Sequence, residues 1–324
     1  MIINDKVYGR EEINEPVLID LINCDSVQRL KGISQMGMPQ EYYHKPVYSR
    51  YDHSVGVLIL LKKLGANLNE QIAGLLHDIS HTCFSHVIDW VVGDSTKEDY
   101  QDNIFSEFLE LSEIPFILKK YKLNYQDFLD LENFSLLEQH APALCADRFD
   151  YSIREISWIN DKNFIKEIIN NLINYKGKLI FISKDAAENF SKGYLHCQVE
   201  HWAGNEAKAR YYILSQILKK AINEKIISLN DLKKFRDEDI LNILIKKGDE
   251  FILENLNLLK KGFRVIETES EEGIFLKKKF RYVNPEILIN GILVTLSEVS
   301  LDYAKTLEKI KQESEINKKI LILK

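Results

Sequence analysis

Between Tyr48 and Asp89, in YSRYDHSVGVLILLKKLGANLNEQIAGLLHDISHTCFSHVID, His53, the His77–Asp78 doublet, His81 and His86 sit inside apolar helical runs, and a later ADRFDY supplies Asp147. Burying such groups unpaired costs several kcal/mol each. A shared divalent ion would satisfy them, and an ion held by imidazoles and carboxylates acidifies bound water and neutralises charge on a phosphate oxygen. The chemistry indicated is metal-assisted phosphate hydrolysis. Neighbouring side chains on one helix diverge by about 100°, so His77 and Asp78 reach a common ion only if other helices bring the remaining ligands. His53 and Asp147 are the candidates. Two His and two Asp suit Mn, Fe, Zn or Ni equally by ligand type. His81 lies one turn beyond His77 if the helix continues, facing substrate. HDISH also fits a zincin-like metalloprotease template, with His77 and His81 as zinc ligands and Asp78 as base. That reading leaves His53 and Asp147 without a role.

Helices must position these groups. Residues 15–36 carry apolar positions at helical spacing and stop at Gly37-Met38-Pro39. The spacing recurs over 54–64 and 69–79, separated by the turn Gly65-Ala66-Asn67, and further helices are expected near 101–111, 114–121, 135–159, 162–174 and 203–222. Residues 178–183 read as a short strand. The tail differs: 263–267, 275–283 and 318–323 read as strands around a helix at about 297–314. The expected fold is mainly α, with a hydrolase domain over 1–225 and a small α+β appendage over 226–324 packed on it.

A chain of 324 residues, 45% hydrophobic, can bury a large core alone. Its net charge of −6 disfavours bulk binding to a nucleic-acid backbone, although a local basic pocket could still hold a small anion. The opening MIINDKVYGREE has no basic segment followed by an apolar run, and no window approaches ~18 uncharged apolar residues, so neither export nor membrane spanning is supported. The expected location is the cytoplasm. Cys24, Cys83, Cys145 and Cys197 are widely spread without a CxxC, which argues for reduced thiols. Cys83 and Cys145 read as small buried hydrophobes. His44, His140 and His196 lie outside the polar-in-apolar pattern and are read as structural. A homo-oligomer is left open.

Several motifs occur in a fixed order: NDKVYG (4–9), VQRLKGISQMG (27–37), SRYDHSVG (49–56), GLLHDISH (74–81), FSH (84–86) and DRFDY (147–151), followed more weakly by HWAGN (201–205). Through them the chain resembles the HD-superfamily phosphohydrolases, in the branch of the SAM-and-HD-domain dNTP triphosphohydrolases and their bacterial relatives. The resemblance implies an HD-domain helical fold with one metal on His53, His77, Asp78 and Asp147, and Mg compatible as a companion of the nucleotide. It also implies that His81 contacts phosphate, that His86 is a general acid or phosphate contact, and that Asp89 orients His86. Spacing supports that last pair, three residues apart on a helix. By the same resemblance Arg50 and Arg148 hold phosphate, Tyr151 and Glu155 meet the sugar, and His201 is retained. The plain alternative for Arg50 is a surface ion pair.

Two departures stand out. Where the branch has a His-Glu pair, this chain offers Lys97-Glu98 or Gln101-Asp102. Where relatives have a Tyr-x-His-Lys segment, it has Val199, His201 and Trp202, so fewer contacts are expected for a long polyanion and a stacked sugar. The implied activity is conversion of a dNTP to nucleoside and tripolyphosphate. Nucleotidase chemistry on a simpler nucleotide is the alternative, ahead of the metalloprotease and of a catalytically silent binding protein. Retention of His81, His86 and Asp89 argues against silence.

Overall fold

The centre of the molecule is the helix Arg50–Lys63, buried along nearly its whole length in the computed structural model, which describes every residue except 94, 96, 277, 278, 315, 317 and 324. A capping box starts it: Ser49 Oγ accepts from Asp52 N, and the Asp52 carboxylate accepts in return from Ser49 N. The cap fixes Arg50 on the first turn and His53 on the same face one turn later. Leu68–Leu76 folds back against it, and Ala146–Ile156 crosses it. Two glycines permit the close approach. A Cβ on Gly74 would come within 2.3 Å of Leu61 Cδ1, and one on Gly56 within 2.3 Å of Asp150 Oδ1.

Among the described residues the architecture is predominantly helical with three small sheets. Strands are not confined to the tail: Ile2–Asp5 pairs with Gly9–Glu12, and Leu172–Tyr175 forms a hairpin with Lys178–Phe181. The hairpin extends into a four-stranded sheet, where Lys178–Phe181 runs parallel to Glu286–Ile289, which pairs in turn with Ile292–Thr295. A separate three-stranded sheet joins Arg264–Thr268, Lys319–Leu323 and Ile274–Phe275. Strands from both sides of residue 225 therefore share one sheet. No described helix is long and apolar enough to cross a membrane.

Several expected elements are revised. The run 15–36 breaks at Cys24 into Pro16–Asn23, Asp25–Arg29 and a single turn at Leu30–Gly32. The run 135–159 is helical only over Ala146–Ile156, since Pro142 cannot donate within a helix. The run 162–174 ends as a helix at Asn170 and continues as the strand Leu172–Tyr175. Of the strand expected over 275–283, positions 277 and 278 lie outside the described residues, and 279–283 are irregular. Partners there are side chains rather than a neighbouring strand: the Lys279 carbonyl accepts from Gln198 Nε2 at 2.8 Å, and the Val283 carbonyl from Tyr303 Oη.

The revision that matters most for chemistry is at the doublet. The helix stops at Leu76, and residues 77–86 are non-helical. Arg29 Nη2 donates to the carbonyls of Ile79 (2.9 Å) and His81 (2.7 Å), taking acceptors that a continuing helix would have used. His81 is therefore not one helical turn above His77, and the zincin arrangement, which needs a helix, is not formed. Phe84 and Ser85 adopt left-handed backbone angles, φ 63° and 45°, uncommon for residues with a side chain. Distant groups hold them there. Asp237 accepts from Phe84 N and Ser34 N, both at 2.8 Å, and Ser85 Oγ donates to the Ser34 carbonyl at 2.6 Å. Asp237→Ala would orphan two buried N–H groups, at about 1–3 kcal/mol each. Urea unfolding is expected to show a loss of about 2–5 kcal/mol with the slope unchanged.

Candidate metal centre and substrate cavity

Three elements bring His53, His77 and Asp147 together. His53 comes from the central helix, His77 from the residue that ends Leu68–Leu76, and Asp147 from the first turn of Ala146–Ile156. His53 Nε2 lies 3.2 Å from His77 Nε2 and 2.9 Å from Asp147 Oδ1, and His77 Nε2 lies 3.5 Å from the same oxygen. These three could hold a metal ion. Asp78 stands beside them, its carboxylate 3.6 Å from each imidazole Nε2.

The hydrogen bonding on the far side of each ring tests whether a cation fits. His53 Nδ1 faces Asp150 Oδ2 at 2.8 Å, and His77 Nδ1 faces the Gly74 carbonyl at 2.8 Å. Both partners are acceptors, so each Nδ1 carries a proton and each Nε2 is turned toward the other ring and Asp147. Two Nε2 atoms and a carboxylate oxygen within 3.5 Å of one another can share a cation. Burial opposes charge on His77, yet the Asp78 and Asp147 carboxylates lift its pKa to about 9. Burial likewise opposes charge on Asp147, but His53 and His77 hold its carboxyl far below the usual range. The donor set fits a divalent transition metal. A second group, Glu138, Cys145 and Asp147, shares Asp147, but burial pushes the Cys145 thiol well above its usual pKa, so it offers no thiolate.

Asp150 was not anticipated. Its signal was present as the spacing Asp147–Asp150, which puts both carboxylates on one helical face. Besides His53 it binds Arg154 Nε at 2.7 Å, and Arg154 Nη2 reaches Asp5 Oδ2 at 2.7 Å. This buried chain locks the His53 ring.

Beside the centre opens a cavity of about 460 Å³. Arg50, 3% exposed, is no surface ion pair: Nη1 donates to Asp78 Oδ2 at 2.7 Å and Nε to Ser85 Oγ at 3.0 Å. Among the described residues Nη2 has no partner. His81 Nε2 lies 3.2 Å from Asp78 Oδ1, and burial reinforced by Arg50 pushes its pKa down to about 3, so its ring is neutral. The His86 ring stands edge-on to His81, centroids 5.1 Å apart, with Nδ1 3.3 Å from Asp89 Oδ2. Burial lowers the His86 pKa, and the Asp89 carboxylate only partly offsets this. Asp89 is fully buried and also accepts from Tyr100 N at 3.0 Å. Arg50, Asp78, His81 and His86 thus follow one another along one wall.

The opposite wall departs from expectation. Glu155 lines the cavity, but its Oε2 is occupied by His201 Nδ1 at 2.5 Å and Trp202 Nε1 at 2.9 Å. His201 Nε2 meets Tyr43 Oη at 2.7 Å, so Glu155 and His201 brace the wall rather than offer free groups. A single turn of π-helix, Gln198–Trp202, lets both rings reach one carboxylate. Tyr151 stands edge-on to Trp202 at 5.3 Å with its hydroxyl 3.1 Å from Tyr194 Oη. Arg148 lines the cavity too, but its Nη1 and Nη2 donate to the Ala143 and Gln139 carbonyls at 2.7 and 3.1 Å. Tyr194, Tyr211, Tyr282 and Lys208, from other segments, also line the cavity. No local pattern marks them.

Residues 50–151 match the HD domain family. The chain is 39% identical over 327 residues to the uncharacterized protein YdhJ of Bacillus subtilis, spanning the whole of both. It is 41% identical over 155 residues to the metal-dependent phosphohydrolase cns2 of Cordyceps militaris, covering 48% of this chain and 45% of that protein. To the deoxynucleoside triphosphate triphosphohydrolase SAMHD1 of Bos taurus it is 27% identical over 198 residues, covering 52% of this chain and 32% of that one. The chain thus spans less than half the length of these last two relatives.

Proposed function

The chain belongs to the HD-domain family, and from that premise we propose a metal-dependent phosphohydrolase acting on nucleotides, with a dNTP cleaved to nucleoside and tripolyphosphate as its first substrate. One observation carries the reading: two imidazole Nε2 atoms and Asp147 converge at one end of a wall formed by Arg50, His81 and His86. His53, His77, Asp78 and Asp147 would hold the ion. Bound there, a divalent metal supplies a Lewis acid that polarises a phosphoryl oxygen and acidifies water.

The other residues act on substrate. Arg50, fixed through Nε and Nη1, presents Nη2 to a phosphate oxygen. Asp89 accepts from His86 Nδ1, which leaves Nε2 toward the cavity. His86 is neutral in the empty cavity, and an arriving phosphate raises its pKa, so substrate assembles the acid that protonates the departing sugar oxygen. The balance is one water consumed, the bond between the sugar oxygen and the α-phosphorus broken, and tripolyphosphate released whole.

Arg50→Lys is expected to lower kcat/KM about 10- to 100-fold at unchanged metal content, because an ammonium cannot reach Asp78, Ser85 and phosphate together. Steady-state kinetics with elemental analysis checks this. The reading as a whole is tested by ion-exchange analysis of products from a dNTP and the matching dNMP. Tripolyphosphate from the former is the expected result. Inorganic phosphate from the monophosphate, with no tripolyphosphate from the triphosphate, would replace it with a nucleotidase.

A further inference from the structure

One part of the cavity is not used by the reaction so far described. Glu98, Lys208 and Arg281 come from three distant segments and meet in a single ion cluster. Lys208 Nζ lies 3.4 Å from Glu98 Oε1, and Arg281 Nη2 pairs with Glu98 Oε2. Lys208 is 4% exposed and Glu98 8%. Lys279, which also lines the cavity, donates to the Lys97 carbonyl at 2.8 Å. Two cations thus share one carboxylate, with a third beside them.

That stoichiometry is unusual for a structural ion pair. A buried cation is costly unless its donors are satisfied, and apolar packing would serve stability equally well. An ammonium has three donors and a guanidinium five. Among the described residues Lys208 has only the Glu98 carboxylate as hydrogen-bond partner, a long contact. Its Nζ otherwise lies over the Trp90 and Tyr211 rings at 5.7 and 5.8 Å. Burial, with Lys279 nearby, lowers its pKa to about 8, the response of an under-compensated cation. Glu98 itself is held at φ 55°, a left-handed backbone for a residue with a side chain. The cluster shares its cavity with Arg50, Asp78, His81 and His86, and the Arg281 charge acts on His86.

We propose that Lys208 and Arg281 form a second anion subsite, which takes a phosphate group of the substrate other than the one at the metal, and that Glu98 competes with that group for the two cations. This rests on the phosphohydrolase reading above and narrows its substrate class to compounds bearing at least two phosphate groups. The Glu98 carboxylate keeps the cations in place when the cavity is empty, and a phosphate displaces it by offering more acceptor oxygens to the same donors.

The probes are inorganic tripolyphosphate and orthophosphate, titrated calorimetrically into the metal-loaded protein. Lys208→Gln and Arg281→Gln are each expected to weaken tripolyphosphate binding about 10- to 100-fold while orthophosphate binding changes little. Glu98→Gln removes the competitor and is expected to tighten tripolyphosphate binding several-fold, a sign that loss of a merely structural ion pair would not give. Should Lys208→Gln fail to fold, Arg281→Gln and Glu98→Gln carry the test. Unchanged tripolyphosphate affinity in the cation variants, or weaker binding in Glu98→Gln, overturns the subsite. Absence of nucleotide hydrolysis would overturn the function while leaving the binding results standing, so the two failures are distinguishable.

Discussion

His53→Ala is expected to leave a folded protein that retains no stoichiometric metal and turns over no nucleotide. His53 is fully buried, and its Nε2 is the nitrogen closest to both His77 Nε2 and Asp147 Oδ1, so its loss removes the ligand through which the other two are connected. Alanine leaves His77, Asp78 and Asp147, a remnant with a single imidazole that is expected not to hold the ion through dialysis. The variant at Asp150 separates ligand from support. Asp150→Asn keeps the size of the group that faces His53 Nδ1 but removes the charge, and it is expected to weaken metal affinity by about 10- to 100-fold, the usual cost of losing an outer-shell partner. Elemental analysis after gel filtration gives the first result and competition with a chelating dye the second. One metal per chain in His53→Ala would place the centre elsewhere.

His53, His77 and Asp78 were legible because each stands in an apolar run, where a lone polar group has no cheap explanation, and Asp147 through the ADRFDY motif. Asp78 was legible as a polar insertion, but its geometry was not. Adjacent positions on a helix diverge, and only the end of the helix at Leu76 lets its carboxylate face both imidazoles while binding Arg50 and His81. That helix end is set by Arg29, 50 residues upstream of the Ile79 carbonyl it takes, and the turn beyond it by Asp237, 153 residues downstream of Phe84. Periodicity sees neighbours three or four residues apart and therefore had no access to either. The same limit explains the opposite wall. The motif around Val199 and Trp202 lacks the Tyr and Lys of relatives, yet Tyr194, Tyr211, Tyr282 and Lys208 reach the cavity from other positions. A local motif records which residue is present in one segment, whereas a cavity depends on which side chains arrive in space.

His86→Gln is expected to keep its metal and lose about 10²–10⁴ in turnover of a nucleotide, equivalent to about 3–5.5 kcal/mol of barrier. The argument for an acid, rather than one more phosphate contact, lies in its surroundings. Asp89 is fully buried and already accepts from Tyr100 N, so the contact to His86 Nδ1 fixes the ring's tautomer and orientation. A residue serving only to bind phosphate would gain from a permanent charge, but burial lowers the His86 pKa. On the proposed reading, phosphate charges it on arrival, and it then carries a transferable proton when the sugar oxygen leaves. The leaving group discriminates the two roles. On a 4-nitrophenyl phosphate ester, whose phenoxide departs without a proton, His86→Gln is expected to lose less than about tenfold, because general acid catalysis has little left to supply. Equal losses on the nitrophenyl ester and on the nucleotide would make His86 a binding residue and move the acid to another group in the cavity.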